Sequence, residues 1–479
     1  MKHDGNAAKK LRAIPVKHEA TDDNAALYQA RQKIYPREIK GRFQRLRTLA
    51  VLVLLGLYYI IPWVNLDGRQ AVLFDLPERK FYVLNLVFWP QDFVYLAAFL
   101  IICALSLFFF TALAGRMWCG YACPQTVWTE VYLWMERLTE GNRSKRMKLD
   151  AGPWNKEKIL RKSAKQFLWI AFSLWTGFTF VGFFTPIREL AVAVVSFDLG
   201  PWETFWSLFY ALATYGNAGF LREQVCTYMC PYARFQSSMF DKDTLIIAYD
   251  EKRGEPRGPR RRGEDYKAKG LGDCIDCTLC VQVCPTGIDI RDGLQYQCIA
   301  CGACIDACND VMDKVGYPRG LIRYTTHNAM AGTRTRILRP RIVVYAVLLI
   351  GITAAVFAHM LTRSPMDMNV LHHRNPLYRV LDGGRLENGY TLKIMNRDTI
   401  DRKFEVEVAG LPGMRIETDP ALIMVPAGKV VDVTARVAVE REQMRGAGMD
   451  IQFILKTVDD DGREHLIREK GRFLGPVRR

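Results

Sequence analysis

Five stretches of the chain, 43–64, 93–113, 167–184, 202–221 and 342–361, stay apolar long enough to cross a hydrocarbon layer. Such a layer is about 30 Å thick and a helix rises ~1.5 Å per residue. Polar segments separate these runs, and after residue 361 the period changes. Tyr390-Thr391-Leu392-Lys393-Ile394, Phe404-Glu405-Val406-Glu407-Val408, Val431-Asp432-Val433-Thr434-Ala435-Arg436-Val437 and Ile451-Gln452-Phe453-Ile454-Leu455 are short, alternating and rich in β-branched residues. Breakers such as Leu411-Pro412-Gly413 and Asp461-Gly462 part them. The pattern predicts a multi-domain membrane protein: an α-helical bundle of five spans, then an all-β immunoglobulin-like sandwich.

Charge orients the bundle. The formal net charge is +16, but the basic residues gather beside the apolar runs, as membrane topology requires, and no nucleic-acid role is needed. Arg143, Lys145, Arg146, Lys148, Lys156, Lys158, Arg161, Lys162 and Lys165 lie between spans two and three. Arg334, Arg336, Arg339 and Arg341 precede span five, whereas the loop after span three sets Arg188 against Glu189, Asp198 and Glu203. These biases put the N-terminus and residues 235–341 inside and residues 362–479 outside. Residues 1–42 read as a cytoplasmic tail without a cleavable signal, and Arg45 and Arg47 as snorkelling at the inner end of span one. The Gly-, Pro- and Arg-rich stretch 253–262 reads as a linker or a contact with anionic headgroups.

The chemistry lies in the cysteines. Cys274-x-x-Cys277-x-x-Cys280-x-x-x-Cys284-Pro285 and Cys298-x-x-Cys301-x-x-Cys304-x-x-x-Cys308-Asn309 have identical spacing. That is the bacterial ferredoxin pattern for two 4Fe–4S clusters, in which the fourth cysteine of each run ligates the other cluster. It predicts a cytoplasmic α+β ferredoxin domain over 235–341. Cys274, Cys277, Cys280 and Cys308 are expected around one cluster, and Cys298, Cys301, Cys304 and Cys284 around the other. Zinc knuckles would leave the matched fourth cysteines unexplained, although Asn309 stands where a second proline is usual. Clusters and free thiols need a reducing compartment.

Cys119-Gly120-Tyr121-Ala122-Cys123-Pro124 and Cys226-Thr227-Tyr228-Met229-Cys230-Pro231 repeat one motif, C-x-Y-x-C-P, past the inner ends of spans two and four. The repeat makes residues 43–234 a duplicated four-helix unit that gathers four thiols. On a helix the paired sulfurs share a face. The proline suits the first helical position, so Cys123 and Cys230 fall at helix N-termini, where thiolates are favoured. Four soft ligands would take Cu(I), zinc or an iron–sulfur cluster. Cys103 lies alone within a span and reads as packing. His359, the single histidine of any span, argues against a membrane haem, and no dinucleotide or Walker fingerprint is present. Met366, Met368, His372 and His373 could take a soft ion but read as a juxtamembrane loop.

Lys33-Ile34-Tyr35-Pro36-Arg37, Phe88-Trp89-Pro90-Gln91-Asp92, the stretch from Gly115 to Trp128, the ferredoxin run, and Arg374-Asn375-Pro376-Leu377-Tyr378 with Asn388-Gly389-Tyr390 complete the picture. Together they resemble the FixG/CcoG/RdxA family of cbb3-type cytochrome oxidase accessory proteins over nearly the whole chain. The resemblance implies a cupric reductase in the bacterial inner membrane, supplying Cu(I) for assembly of the oxidase's copper centre. It implies copper transporters, copper chaperones and oxidase assembly factors as partners. The residues leave open the electron donor, a quinol or a cytoplasmic reductant, and a homodimer, and the charge bias makes the C-terminal domain periplasmic. Cys119, Cys123, Cys226 and Cys230 would be the copper-reducing residues. Two other functions fit the residues: quinol-linked electron transfer to a redox partner, and an assembly scaffold with sensory clusters.

Overall fold

The computed structural model describes residues 33–476 except 67, 85, 262, 263, 365, 382, 399, 445 and 459–463. The tail before residue 33, Arg262 and the Asp461-Gly462 turn lie outside the described residues. The chain divides into two compact units, Met1–Arg79 with Phe93–Thr353, and Lys80–Asp92 with Ala354–Arg479.

The first unit opens with α1 (Arg42–Ile60), after which come short strands β1 (Asn65–Leu66), β2 (Arg69–Gln70) and β3 (Val72–Asp75). Strands β4 (Lys80–Val83) and β5 (Leu86–Phe88) belong to the second unit, and α2 (Phe93–Ala114) returns to the first. Next are α3 (Met117–Tyr121), α4 (Pro124–Glu140), α5 (Arg143–Ala151), α6 (Lys156–Val181), α7 (Ile187–Ser196) and α8 (Pro201–Thr214). Helix α8 runs on into π-helical turns over Tyr215–Leu221; another π turn, Val225–Met229, leads into α9 (Pro231–Met239).

Among the described residues, three helices are long and apolar enough to cross a membrane: Arg42–Trp63, Phe93–Ala114 and Pro340–Leu361. The expected spans 167–184 and 202–221 are largely helical too. Helix α6, however, starts well inside the basic loop, and α8 loses its α-helical ladder at Tyr215. These two helices pack closely: a Cβ on Gly177 would fall 2.9 Å from the Ala211 nitrogen and nearer still to the Ser207 carbonyl.

The ferredoxin part contains β6 (Ile246–Tyr249) paired antiparallel with β7 (Ile322–Thr325). It also carries α10 (Glu251–Gly254), α11 (Leu279–Gln282), α12 (Ala303–Val315) and α13 (His327–Met330), and α14 (Pro340–Leu361) follows, divided between the two units at Thr353. Three apolar helices are anchored to it by their ends. Phe43 and Gln44 at the start of α1 donate backbone N–H groups to the Asp306 carboxylate of α12, at 3.3 and 2.9 Å. Leu245 N–H donates to the Leu113 carbonyl at the end of α2, and Arg339, just before α14, donates to the Ala112 carbonyl at 2.8 Å. The Asp306 carboxylate thus caps α1 from another helix, on donors that α1 leaves unpaired. Asp306→Ala is expected to cost ~1 kcal/mol, read as a lower thermal midpoint with the helical circular-dichroism signal otherwise kept; an unchanged midpoint would remove the cap from the account.

Two expectations about arginines are corrected. Arg47 does not snorkel: it is buried and pairs with Glu130 at 3.0 Å, while Arg45 is exposed. Nor is 253–262 a bare linker. Arg253 binds Asp273 and the Arg319 and Pro318 carbonyls, and the Arg260 guanidinium lies over the Tyr266 ring at 4.5 Å. Several residues of the basic loop also have internal partners. Glu136 meets Arg146 at 3.0 Å and Arg222 at 2.8 Å, and Glu140 meets Lys162 at 2.9 Å and Lys165 at 3.0 Å.

The second unit holds β8 (Met366–His372), β9 (Arg379–Val380), β10 (Arg385–Asn396), β11 (Arg402–Ala409), β12 (Arg415–Asp419), β13 (Ile423–Val425), β14 (Val430–Glu440), β15 (Gly448–Val458) and β16 (Glu464–Leu474). One sheet runs β12-β14-β10-β8, with β9 also on β10; the other runs β13-β11-β15-β16. Alternate residues such as Leu392, Ile394, Val433, Val437, Phe453 and Leu455 fill the core, as the period-two pattern requires. Met366 and Met368 are core residues of β8, His372 Nε2 bonds Asn388 Oδ1 at 2.7 Å, and His373 Nε2 bonds Thr391 Oγ1 at 2.8 Å. The juxtamembrane-loop reading is therefore replaced: Met366–His372 is a strand whose alternation was not read. Val87 and Trp89, from between α1 and α2, pack on Met395 of this unit.

Candidate electron-transfer site

Both ferredoxin runs wind the same way. Asp276 and Ala300, each two residues after the first cysteine of its run, have φ of 54° and 53°. Thr278 and Gly302, each four after, have φ of 57° and 77°. Left-handed backbone at non-glycine residues costs roughly 1–3 kcal/mol and marks a site that over-determines it. The loops so formed surround two cavities. One is lined by Cys274, Cys277, Cys280 and Cys308. The other is lined by Cys284, Cys298, Cys301 and Cys304, with Cys280 also reaching its wall. The structure thus gathers the two crossed sets that the spacing predicts. Burial pushes the Cys280, Cys298 and Cys308 thiols up to about 12 and that of Cys304 well above the ordinary value, with the neighbouring cysteines adding to the rise for Cys298, Cys304 and Cys308. Thiols so shielded suit a cofactor that takes them as thiolates, although Cys277 of the first set is exposed.

The four repeat cysteines also come together. Cys226 interacts electrostatically with Cys123, Cys119 and Cys230. Each motif ends in the same way: Cys123 N–H bonds the Trp118 carbonyl and Cys230 N–H the Val225 carbonyl, five residues back. Each second cysteine then caps a helix that begins with proline, α4 or α9. The expected continuous helical face is broken at that cysteine. The thiolate expected at Cys123 is not found either. Burial outweighs the helix N-terminus there and pushes the thiol up, and it also pushes Cys119 up to about 11 and Cys226 to about 12. Cys119 Sγ donates to Gln236 Oε1 at 3.4 Å. Cys103 is exposed on α2, so the packing expected of it is not found among the described residues.

The two sulfur sites touch. A Cβ on Gly120 would lie 2.7 Å from the Ile299 carbonyl and 2.9 Å from Cys301 Cα, so the first motif rests directly on a cluster loop. Cys119 packs with Cys301 in one apolar cluster, and Tyr121 donates to the Cys301 carbonyl at 3.2 Å.

Comparison with known proteins follows this division of labour. The family described as "4Fe-4S dicluster domain" matches residues 221–327, "4Fe-4S binding domain" matches 96–142, and "IG-like fold at C-terminal of FixG" matches 356–476. The nitrogen fixation protein FixG of Rhizobium meliloti is 39% identical over 84% of this chain and 85% of its own. The chain belongs to the FixG/RdxA family. Protein RdxA of Cereibacter sphaeroides is 42% identical over 81% of this FixG/RdxA-family chain and 85% of its own length. A FixG-related protein from Vibrio parahaemolyticus, 30% identical, is covered in full by 24% of this chain, with a TM-score of 0.22. Membership makes the chain an iron–sulfur protein of an electron-transfer oxidoreductase family.

Sequence reasoning missed Arg116, Gly120 and Gln236. Arg116 is buried against the Tyr296 and Ala233 carbonyls. Its signal was a cation placed inside the duplicated stretch, directly after an apolar run, where a snorkelling residue is the ordinary reading.

Proposed function

We propose that this chain reduces Cu(II) to Cu(I) at Cys119, Cys123, Cys226 and Cys230, one electron per ion. Cys274, Cys277, Cys280 and Cys308 would hold one 4Fe–4S cluster and Cys284, Cys298, Cys301 and Cys304 the other. When bound, these clusters supply one-electron transfer. The observation that carries the reading is the contact of Gly120 with the Ile299–Cys301 backbone, which leaves no intervening layer between the two sulfur sites. The thiols stabilise the cuprous product, because soft ligands prefer Cu(I). Five spans with the sulfur sites inside and the β domain outside complete the proposal. It is supported by the three helix ends at the ferredoxin part and by the packing of the segment between α1 and α2 on the β unit. The boundaries proposed from sequence, 43–234, 235–341 and 362–479, go with it, as do copper-handling partners.

The test is anaerobic protein with reduced clusters, Cu(II) and a Cu(I)-specific chromophore. Cys119→Ser with Cys226→Ser is expected to abolish the fast phase of colour formation, and an unchanged rate removes the thiols from the reaction. Because Cys119 and Cys226 stay protonated up to about 11 and 12, ion binding must release protons. The apparent Cu(I) affinity is therefore expected to rise as pH rises from 6 to 8, by roughly tenfold per unit for each thiol proton displaced. Competition with a chromophore of known pH dependence checks this.

A second reading is favoured by one comparison. The 4Fe–4S family matching residues 96–142 includes Cys119 and Cys123, and a cubane there would draw on Cys226 and Cys230 as well. The chain would then pass electrons to another redox partner instead of to copper.

A further inference from the structure

Among the described residues Arg116 is a buried cation without a counter-ion. It is 5% exposed, and among the described residues its guanidinium meets two backbone carbonyls, Tyr296 and Ala233, but no carboxylate. The other buried arginines around the site are paired: Arg47 with Glu130 and Arg222 with Glu136. A buried charge left uncompensated is costly, so its place in the fold needs a negative partner. The two carbonyls locate that partner. Tyr296 lies two residues before Cys298 in the cluster loop, and Ala233 lies in α9, the helix capped by Cys230. Arg116 therefore stands between the second set of ferredoxin cysteines and the repeat cysteines. Cys298, Cys119 and Cys226 all lie within range of its charge.

We infer that Arg116 is the shared counter-cation of the two sulfur sites. Its charge favours the more reduced, more negative state of the group held by Cys284, Cys298, Cys301 and Cys304. That set would then have the higher potential of the two, and the electron would rest beside the repeat cysteines and not in the outer cavity. Arg116 is a positioning residue: it acts through the sulfur ligands, consistent with the control of cluster potentials by charge and hydrogen bonding around the sulfurs. The other set has its own cation, Arg291, but that guanidinium is neutralised by Asp276 at 2.5 Å and Asp289 at 2.6 Å. The inference rests on the cluster assignment within the proposed function and not on copper, so it stands or falls whichever ion the repeat cysteines take.

The experiment is an EPR-monitored redox titration of the full-length protein, native and with Arg116→Gln or Arg116→Lys. For Arg116→Gln, one of the two cluster midpoints is expected to fall by a tenfold change in its reduction equilibrium or more, about 59 mV for one electron. The other midpoint should move less, and Arg116→Lys should stay within that tenfold of the native value. Iron lost from Arg116→Gln but kept in Arg116→Lys supports the same role. Unchanged midpoints in Arg116→Gln, equal shifts in both clusters, or equal damage by Gln and Lys would overturn it, since shape or hydrogen bonding alone would then account for the residue.

Discussion

Replacing Gly120 by valine is expected to leave the iron content intact and to slow cupric reduction on the order of 100-fold, the scale of loss that an ångström-sized misplacement produces. A Cβ at this position meets the Ile299 carbonyl at 2.7 Å and Cys301 Cα at 2.9 Å. Those are backbone atoms, so no side chain can swing aside to make room. Either α3 lifts from the cluster loop or the loop shifts, and in both cases Cys119 moves away from Cys301. Electron transfer falls steeply with separation, whereas ligation of the clusters depends on their own loops. The check is a stopped-flow Cu(I) assay beside iron analysis on the same preparation. A native rate with native iron would mean that electrons do not pass through this contact.

The second large effect is on stability. Glu136 is fully buried between Arg146, itself 2% exposed, and Arg222. Removing one partner of a buried pair leaves the others charged and unpaired, at a cost of about 3–5 kcal/mol. Glu136→Ala is therefore expected to lower the thermal midpoint sharply and to reduce the yield of folded protein. Arg146 also donates to the Pro36 carbonyl at 2.7 Å, so residues 33–40 should become protease-sensitive first. The contrast is Glu157→Ala, which breaks an exposed pair with Arg161 and should cost about 0–1 kcal/mol. Equal effects from the two would show that burial is not what makes the network matter.

Where the chain signals were periodic or fixed in spacing, they were legible. The alternation in 390–394 and 431–437 located the central strands β10 and β14, and the double cysteine run anticipated which thiols share a cavity. Proline after Cys123 and Cys230 anticipated both caps. What stayed hidden depends on tertiary approach. Nothing local to Gly120 marks it as the point where α3 meets the cluster loop, because a glycine in a motif reads equally well as flexibility. Arg47 was read by its neighbours in sequence, an apolar run, and Arg116 was not singled out, although their partners are tens to hundreds of residues away. The thiolate expectation failed for the same reason. A helix N-terminus is visible in sequence, whereas the burial that outweighs it at Cys123 is not.

The central claim is that eight cysteines hold the electron supply and four others receive it with copper as their ion. Metal analysis of anaerobically purified protein, native and Cys119→Ser/Cys226→Ser, loaded with copper and then desalted, tests it most directly. The account predicts the iron of two clusters in both proteins, and bound Cu(I) in the native protein alone. A double variant that loses a third of the native iron, or keeps its copper, would contradict it.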